Sequence, residues 1–211
     1  MYKITAIIPA FNEEETIGDI LKTIKKIDLI EEIIVVSDGS TDRTIDIAKS
    51  LNVEVVELSN NIGKGGAVKR GVEKSHGDIV LFLDADLIGL RSEHVTRLLL
   101  PVISDECDMS IGVFDNGRFI TDLAQKLTPF LTGQRAIKTE VFNDIPNIEI
   151  TRYGIEVAIT KHVTKNNINI KSVTLENITH VMKEEKMGLI KGATERLKMY
   201  RDILKFLIIG E

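Results

Sequence analysis

The stretch GDIVLFLDADLIGL, residues 77–90, decides the fold. Its five consecutive apolar residues, Ile79 to Leu83, predict a strand that is buried on both faces. Two carboxylates follow at once, Asp84 and Asp86, with the small Ala85 between them. A buried charge is costly unless it is paired or holds a metal ion. We therefore expect a central strand whose end faces a positively charged partner.

Strands and helices alternate upstream of this stretch. Asn12 with Glu15 three residues later forms a capping-box pattern that predicts a helix to about Lys26. The alternation predicts an α/β fold with a mostly parallel central sheet flanked by helices. The other elements expected here are strands over 4–8, 32–36 and 53–57, a helix over 42–50, and a glycine-rich turn over 61–66 leading to a helix that ends near 76–77.

The pattern is less regular downstream. Ser92 is expected to cap a helix to about Leu100, which Pro101 helps to end. A final amphipathic helix is expected from Met187, with an apolar stripe along one side. The remaining expected elements are strands over 108–114 and 168–175 and helices over 119–131 and 153–165.

Composition narrows the classes of function. The chain has 211 residues and a formal net charge of −5, so it lacks the basic footprint of a nucleic-acid-binding protein. Its one cysteine, Cys107, is expected to be a core thiol in a reducing, cytoplasmic setting. No apolar run approaches the ~20 residues that a transmembrane helix needs.

Three polar segments follow predicted strands, where ligands bind in parallel α/β sheets. They are PAFNEEE, SDGSTDRT and DADL. Each alone could be a turn or a helix cap, but together they place carboxylates along one sheet edge. Two acids separated by one small residue suit Mg²⁺ or Mn²⁺, whose remaining ligands are often substrate phosphates. The glycines of NNIGKGGAVKRG and its Lys64 would suit such phosphates.

Four blocks over residues 4–87 resemble family-2-like glycosyltransferases with the GT-A (Rossmann-like) fold. They are IIPAFNEEETIGDIL, IIVVSDGSTDRT, NIGKGGAVKRG and IVLFLDADL. The resemblance implies a nucleotide-sugar donor, with Lys64 near the nucleotide and Asp84-Ala85-Asp86 as the DxD motif. This chain has VSDGS where many members have DDGS, so Ser37 replaces an acid. The residues implied around the base and ribose are Pro9, Ala10, Phe11, Glu13 and Asp38.

Enzymes of this kind often take a further metal ligand from a late histidine. His180 follows a strand-like segment in a polar setting, so the resemblance implies a metal site of Asp86 and His180. Structural roles are expected for the other three histidines, which lie within or beside predicted helices.

Three later segments resemble glucosyl-3-phosphoglycerate synthases and the related mannosylglycerate synthases. They are GRFITDLAQ, GQRAI and RYGIEVAI. The resemblance implies that Gly117, Arg118 and Thr121 hold an anionic acceptor, while Gly133, Tyr153 and Glu156 surround the sugar. One GT-A domain over 1–211 is expected, comprising a nucleotide-binding half (1–90), an acceptor- and sugar-binding half (91–182) and the C-terminal helix (183–211).

The reaction implied is transfer of a hexose, glucose from UDP-glucose, to a small anion such as 3-phosphoglycerate. Asp86 and Glu156 are the catalytic candidates. The glycerate-type resemblance implies retention; with inversion, an acid such as Glu156 or Asp115 would be the base. The competing hypothesis is an inverting polyprenyl-phosphate glycosyltransferase whose last helix lies on the inner face of the membrane. That helix could instead pack on its own domain or across a homodimer.

Overall fold

A computed structural model describes residues 2–114, 132–146, 148 and 155–180 of the chain. Strands and helices alternate through its first half, as expected. The nine strands of the described part are β1 (Ile4–Ala10), β2 (Glu32–Asp38), β3 (Glu54–Leu58), β4 (Ile79–Phe82), β5 (Leu87–Ile88), β6 (Met109–Phe114), β7 (Arg135–Lys138), β8 (Ile170–Leu175) and β9 (Thr179–His180). The helices there are α1 (Ile17–Ile24), α2 (Thr44–Ser50), α3 (Lys64–Lys74), α4 (Ser92–Ile103), α5 (Thr139–Asn143) and α6 (Ile155–Lys165).

Seven strands form one mostly parallel sheet in the order β3-β2-β1-β4-β7-β6-β8. The first four strands in this order are parallel to one another, and β6 is parallel to β8. Strand β7 is antiparallel to both of its neighbours, β4 and β6. Strand β7 could not be predicted from the sequence, because four residues are too few to show a strand periodicity.

The sheet separates two hydrophobic cores, and β4 contributes to both. Ile79 and Leu81 face the core that contains the apolar sides of α1 and α4. Val80 and Phe82 face the core that contains the apolar sides of α3 and α6. The prediction that this strand is buried on both faces is therefore confirmed.

The loops after β1 and β2 are joined by hydrogen bonds. Asn12 does not cap α1, because the helix begins at Ile17 and Asn12 has a φ of 57°. Its side chain instead accepts a hydrogen bond from the backbone N–H of Thr41 at 2.8 Å. The backbone N–H of Glu13 donates to Thr44 Oγ1, also at 2.8 Å. The capping-box prediction was wrong because asparagine tolerates a left-handed backbone and its amide serves the neighbouring loop.

The end of α4 also differs from the prediction. The helix continues to Ile103 and contains Pro101 in its last turn. Pro101 lacks the N–H that would bond one turn back, and the helix ends two residues after it. The predicted helices over 119–131 and from Met187 lie outside the described residues. Within the described ranges, no helix combines the length and apolarity needed to cross a membrane.

A second, two-stranded sheet extends the carboxyl end of β4. Strands β5 and β9 are antiparallel, with Leu87 opposite His180 and Ile88 opposite Thr179. This pairing brings a late segment of the chain beside the DADL stretch.

Candidate active site

The end of β4 and the start of α3 are joined by an ion pair. Lys64, the first residue of α3, places its Nζ 2.5 Å from Oδ1 of Asp84. The Lys64 side chain keeps 30% of its surface exposed and the Asp84 side chain 16%, so both reach solvent. The positive partner expected for the acids after β4 is therefore present, and Lys64 supplies it to Asp84.

Glu156 completes a bridge across the same lysine. It lies in the first turn of α6, and its Oε1 is 2.5 Å from Nζ of Lys64. Burial alone would lower the pKa of Lys64, but the Asp84 and Glu156 carboxylates outweigh burial and raise this pKa above its ordinary value. Lys64 therefore remains a cation between two carboxylates.

Gly133 lies against this ion pair. A Cβ at Gly133 would collide with both carboxylate oxygens of Asp84 and with Nζ of Lys64. The backbone before β7 therefore approaches the charged groups more closely than any other residue type would allow. Gly133 was predicted beside the sugar, and the structure places it beside Asp84 and Lys64.

Gln134 was not singled out by the sequence analysis, yet it holds Asp84. Its side chain is fully buried, and its Nε2 donates to Asp84 Oδ2 at 2.8 Å. Its Oε1 accepts a hydrogen bond from Thr132 Oγ1 at 2.6 Å. Both oxygens of Asp84 thus have a donor, since Lys64 takes the other.

Arg135 places a second cation beneath the site. Its side chain is 1% exposed, and burial lowers its pKa to about 10 against the opposing effects of Glu156 and Asp84. Its Nε donates to the carbonyl oxygen of Thr132 at 3.0 Å. Its guanidinium also donates to Thr160 Oγ1 at 3.2 Å, and that hydroxyl donates to the carbonyl oxygen of Glu156 at 2.8 Å. In the sequence, Arg135 is recognisable only as an arginine that directly precedes apolar residues.

Asp38 fixes the glycine-rich loop that carries Lys64. It is 4% exposed, and its two carboxylate oxygens accept the backbone N–H groups of Ile62 and Gly63 at 2.7 and 2.9 Å. The loop ends at Gly63, whose φ is 91°, and α3 begins at the next residue. Asp38 was predicted near the base and ribose, which stays a prediction; in the structure it organises the loop.

The other residues predicted near the nucleotide lie at the carboxyl end of β1. Pro9 and Ala10 are the last two residues of that strand. Phe11 follows them with 46% of its surface exposed. The side chain of Glu13 accepts a hydrogen bond from Thr16 Oγ1 at 3.3 Å.

The backbone segments that carry the candidate metal ligands are paired with each other. Asp86 is partly buried between the buried Ala85 and Leu87, and Leu87 is paired with His180. No group of three His, Cys, Asp or Glu side chains forms a metal cage within the described part of the chain. Asp86 directly precedes β5 and His180 is the last residue of β9, and a carboxylate and an imidazole are donor types that Mg²⁺ and Mn²⁺ accept, with substrate phosphates as further ligands. The backbone arrangement therefore fits the predicted ion.

Several predicted site residues cannot be placed. Gly117, Arg118, Thr121, Asp115 and Tyr153 lie outside the described residues, as does the side chain of His180. Those roles stay predictions. The residues that the structure does bring together are Lys64, Asp84, Gly133 and Glu156.

Comparisons with known proteins show the family to which the chain belongs. Residues 5–163 match the family model described as glycosyl transferase family 2. The chain is 37% identical over 114 residues to glucosyl-3-phosphoglycerate synthase of Mycolicibacterium smegmatis, covering 50% of this chain but only 37% of that enzyme. It is 38% identical over 204 residues to an uncharacterized protein of Methanocaldococcus jannaschii, covering 83% of this chain and 82% of that protein.

Solved structures of glucosyl-3-phosphoglycerate synthase from Mycobacterium tuberculosis share the fold. The complex with Mg²⁺ and UDP matches with a TM-score of 0.78 at 25% identity, over 98% of this chain and 78% of that chain. The complex with Mn²⁺, UDP-glucose and phosphoglyceric acid matches with a TM-score of 0.75 at 25% identity, over 97% of this chain and 79% of that chain. The expected GT-A fold is thereby confirmed.

Proposed function

The chain belongs to glycosyl transferase family 2, and from that premise we propose that it transfers glucose from UDP-glucose to a small anionic acceptor such as 3-phosphoglycerate. The observation that carries the proposal is the charged cluster of Lys64, Asp84 and Glu156 at the carboxyl end of β4. A related protein of the same fold binds Mn²⁺, UDP-glucose and phosphoglyceric acid, which supports these ligands for this chain.

The donor lies along the carboxyl ends of β1, β2 and β4. Pro9, Ala10, Phe11 and Glu13 contact the base and ribose, and the exposed ring of Phe11 offers a surface against which a base can stack. Asp84 either faces the ribose or contacts the cation through a water molecule. Lys64 stands beside the diphosphate at the start of α3. Asp38 holds the backbone of the loop that directly precedes it.

Asp86 and His180 hold Mg²⁺ or Mn²⁺ in this proposal. Such an ion, when bound, offsets the negative charge that develops on the departing diphosphate. The pairing of β5 with β9 supports this assignment, because it places Leu87, the neighbour of Asp86, opposite His180.

Glu156 positions the sugar, and the reaction proceeds with retention. The bond from the anomeric carbon to the diphosphate oxygen breaks, and a bond to the acceptor hydroxyl oxygen forms on the same face. The departing phosphate oxygen takes the acceptor proton, and UDP leaves. Oε1 of Glu156 is already paired with Lys64, which favours a positioning role for this carboxylate over that of a general base.

The acceptor is held by Gly117, Arg118 and Thr121, and Tyr153 joins Gly133 beside the sugar. A guanidinium fork suits the phosphate or carboxylate of 3-phosphoglycerate because it can donate to two oxygens at once.

The test is a matrix of donors and acceptors. The protein is incubated with UDP-glucose, GDP-mannose or UDP-N-acetylglucosamine against 3-phosphoglycerate, glycerate or polyprenyl phosphate, in Mn²⁺. We expect product from UDP-glucose and 3-phosphoglycerate, with an α-anomeric proton by NMR. A β-anomer would overturn retention, and product with polyprenyl phosphate alone would overturn the acceptor.

The second candidate is a polyprenyl-phosphate glycosyltransferase. Its support is the apolar stripe expected beyond Met187, interleaved with basic residues, which would suit a membrane surface. Co-sedimentation with anionic liposomes, with and without residues 187–211, decides between the candidates. Binding that is lost on truncation favours the lipid acceptor. If neither form binds liposomes and the full chain forms a dimer that dissociates on truncation, the helix belongs to a homodimer interface.

A further inference from the structure

Polar contacts form a closed circuit behind the candidate active site. Its front half consists of Asp84, Lys64 and Glu156, which are joined by two ion pairs. Its back half consists of Thr132, Gln134, Arg135 and Thr160. Gln134 joins the back half to the carboxylate of Asp84 at one side, and the hydroxyl of Thr160 joins it to the backbone carbonyl of Glu156 at the other. Thr132 connects Gln134 and Arg135, which closes the circuit.

The two halves differ in their access to solvent. The front half is open, with 13–30% of each side chain exposed. The residues of the back half are each 9% exposed or less. Burying four polar side chains is unfavourable unless their hydrogen bonds are satisfied, and a satisfied buried network is rigid. The back half is therefore suited to hold the front half in one geometry.

We propose that Gln134 and Arg135 are positioning residues of the transfer reaction, with Gln134 fixing the carboxylate of Asp84 and Arg135 fixing the first turn of α6, which carries Glu156. This inference rests on the proposed function, because it concerns the residues that would receive the donor. Both side chains are 1% exposed or less, so their effect on the donor would pass through Asp84 and Glu156.

The chemistry of each side chain fits its position. Gln134 must donate to Asp84 and accept from Thr132 at the same time, which an amide can do and a carboxylate cannot. Arg135 donates in two directions, to the Thr132 carbonyl and to the Thr160 hydroxyl. It also supplies a positive charge near Asp84 and Glu156. That charge stays in place when the Lys64 ammonium group leaves the carboxylates to contact a donor phosphate.

Two variants interrupt the circuit without changing any charge. Gln134→Met removes the amide that holds Asp84, and Thr160→Val removes the hydroxyl between Arg135 and Glu156. We expect each to lower kcat about tenfold while the KM for the acceptor stays the same, because small displacements of positioned groups are costly in rate. Thr160→Ser keeps the hydroxyl and should recover the rate. Thr164→Val, on the exposed side of the same helix, is the matched control.

A second readout needs no transfer activity. Lys64 is held between two carboxylates, so its reaction with an amine-directed reagent, followed by peptide mass spectrometry, reports whether they are in place. We expect Lys64 to react slowly in the unaltered protein and several-fold faster in Gln134→Met and in Thr160→Val. The rate in Thr164→Val should equal that of the unaltered protein.

The two readouts separate the possible failures. Faster Lys64 modification in both variants of a protein that transfers no sugar would overturn the proposed function, while showing that the back half does hold Asp84 and Glu156 in place. Unchanged Lys64 reactivity and unchanged kcat in both variants, in a protein that transfers glucose, would overturn the positioning roles. A drop in thermal stability with no change in either readout would also overturn them, because it would show a structural role alone.

Discussion

Gly133 leaves no room for a side chain, and this gives a direct test of the close approach. Gly133→Ala would press a methyl group on Asp84 and Lys64, and Asp84 is held at both oxygens. We expect transfer to fall at least about tenfold and the free energy of unfolding to fall by about 1–3 kcal/mol, from overpacking.

Gly18→Ala is the control for this substitution. Gly18 lies inside α1, where a Cβ would meet Ile47 Cγ2 at 3.4 Å. Alanine there should stabilise the protein by about 0.5–1 kcal/mol through helix propensity. Unfolding in urea and initial rates measure both effects. A Gly133→Ala protein with undiminished transfer would show that the backbone is not held against the ion pair.

Asp38 gives a second test on the scale of a single residue. Asp38→Asn replaces one of two acceptors with a donor that faces a backbone N–H, which should cost about 1–3 kcal/mol of unfolding free energy. Asp78→Asn is matched to it, because Asp78 accepts the N–H of Lys3 at 2.8 Å but is exposed, and its effect should be small. If Asp38→Asn left the free energy of unfolding unchanged and raised the KM for the donor, Asp38 would contact the ribose without stabilising the loop.

The acids at the strand ends could be predicted from the sequence, but their partners could not. Asp84 was recognisable because it is an acid directly after a buried strand. Lys64 was recognisable because it is a basic residue in a glycine-rich segment. Gln134 and Thr160 carry no such signal, since an amide or a hydroxyl in an apolar stretch is common. Their roles depend on tertiary contacts, Gln134 with Asp84 and Thr160 with Arg135, which no local pattern encodes.

Among the elements, the β5–β9 pair is the one on which the proposed Asp86–His180 metal site depends, because it places Leu87 opposite His180. Gly89 follows β5 with a φ of 81°, and a Cβ there would collide with the carbonyl oxygen of Asn177. Gly89→Ala should therefore separate the two strands and weaken Mn²⁺ binding about tenfold or more, as loss of an orienting contact does at metal sites. Calorimetric titration with Mn²⁺ and UDP measures this.

Ile88→Thr is the matched variant on the same strand. The side chain of Ile88 is 47% exposed, so threonine keeps the backbone pairing and a β-branched shape. Its Mn²⁺ affinity should equal that of the unaltered protein. Equal affinity in Gly89→Ala as well would mean that the strand pairing does not assemble the metal site.

The elements themselves were largely predictable where the hydrophobic pattern was long. Strands β1 to β4 lie within two residues of their expected bounds because each is an apolar run between polar turns. Strand β7 was missed because it has only four residues and one of them is a buried arginine. Its antiparallel direction depends on the return of the chain across the sheet, which no local pattern encodes.

At the scale of the whole molecule, a buried histidine predicts how stability depends on pH. His94 is fully buried, and burial, with Arg91 and Arg97 nearby, lowers its pKa despite Glu93 and Glu176. Its Nδ1 accepts the backbone N–H of Arg91 at 3.2 Å, which requires an unprotonated nitrogen. Below about pH 6.5 the unfolded chain binds a proton here that the folded protein excludes, so stability should fall as the pH falls.

Urea unfolding at about pH 7.5 and about pH 5.5 measures this dependence. The free energy of unfolding should be lower at the acidic pH, and His94→Gln should make the difference between the two values smaller. An equal difference in the variant would show that other groups carry the acid sensitivity.

The measurement that tests the central claim most directly is the yield of glucosylated product from UDP-glucose and 3-phosphoglycerate. It compares the unaltered protein in Mn²⁺, the same protein in EDTA, and Asp86→Ala in Mn²⁺, with circular dichroism to confirm that the variant is folded. We predict product in the first reaction and background in the other two. Full product in EDTA, or from folded Asp86→Ala, would contradict a metal-dependent transferase built on the end of β4.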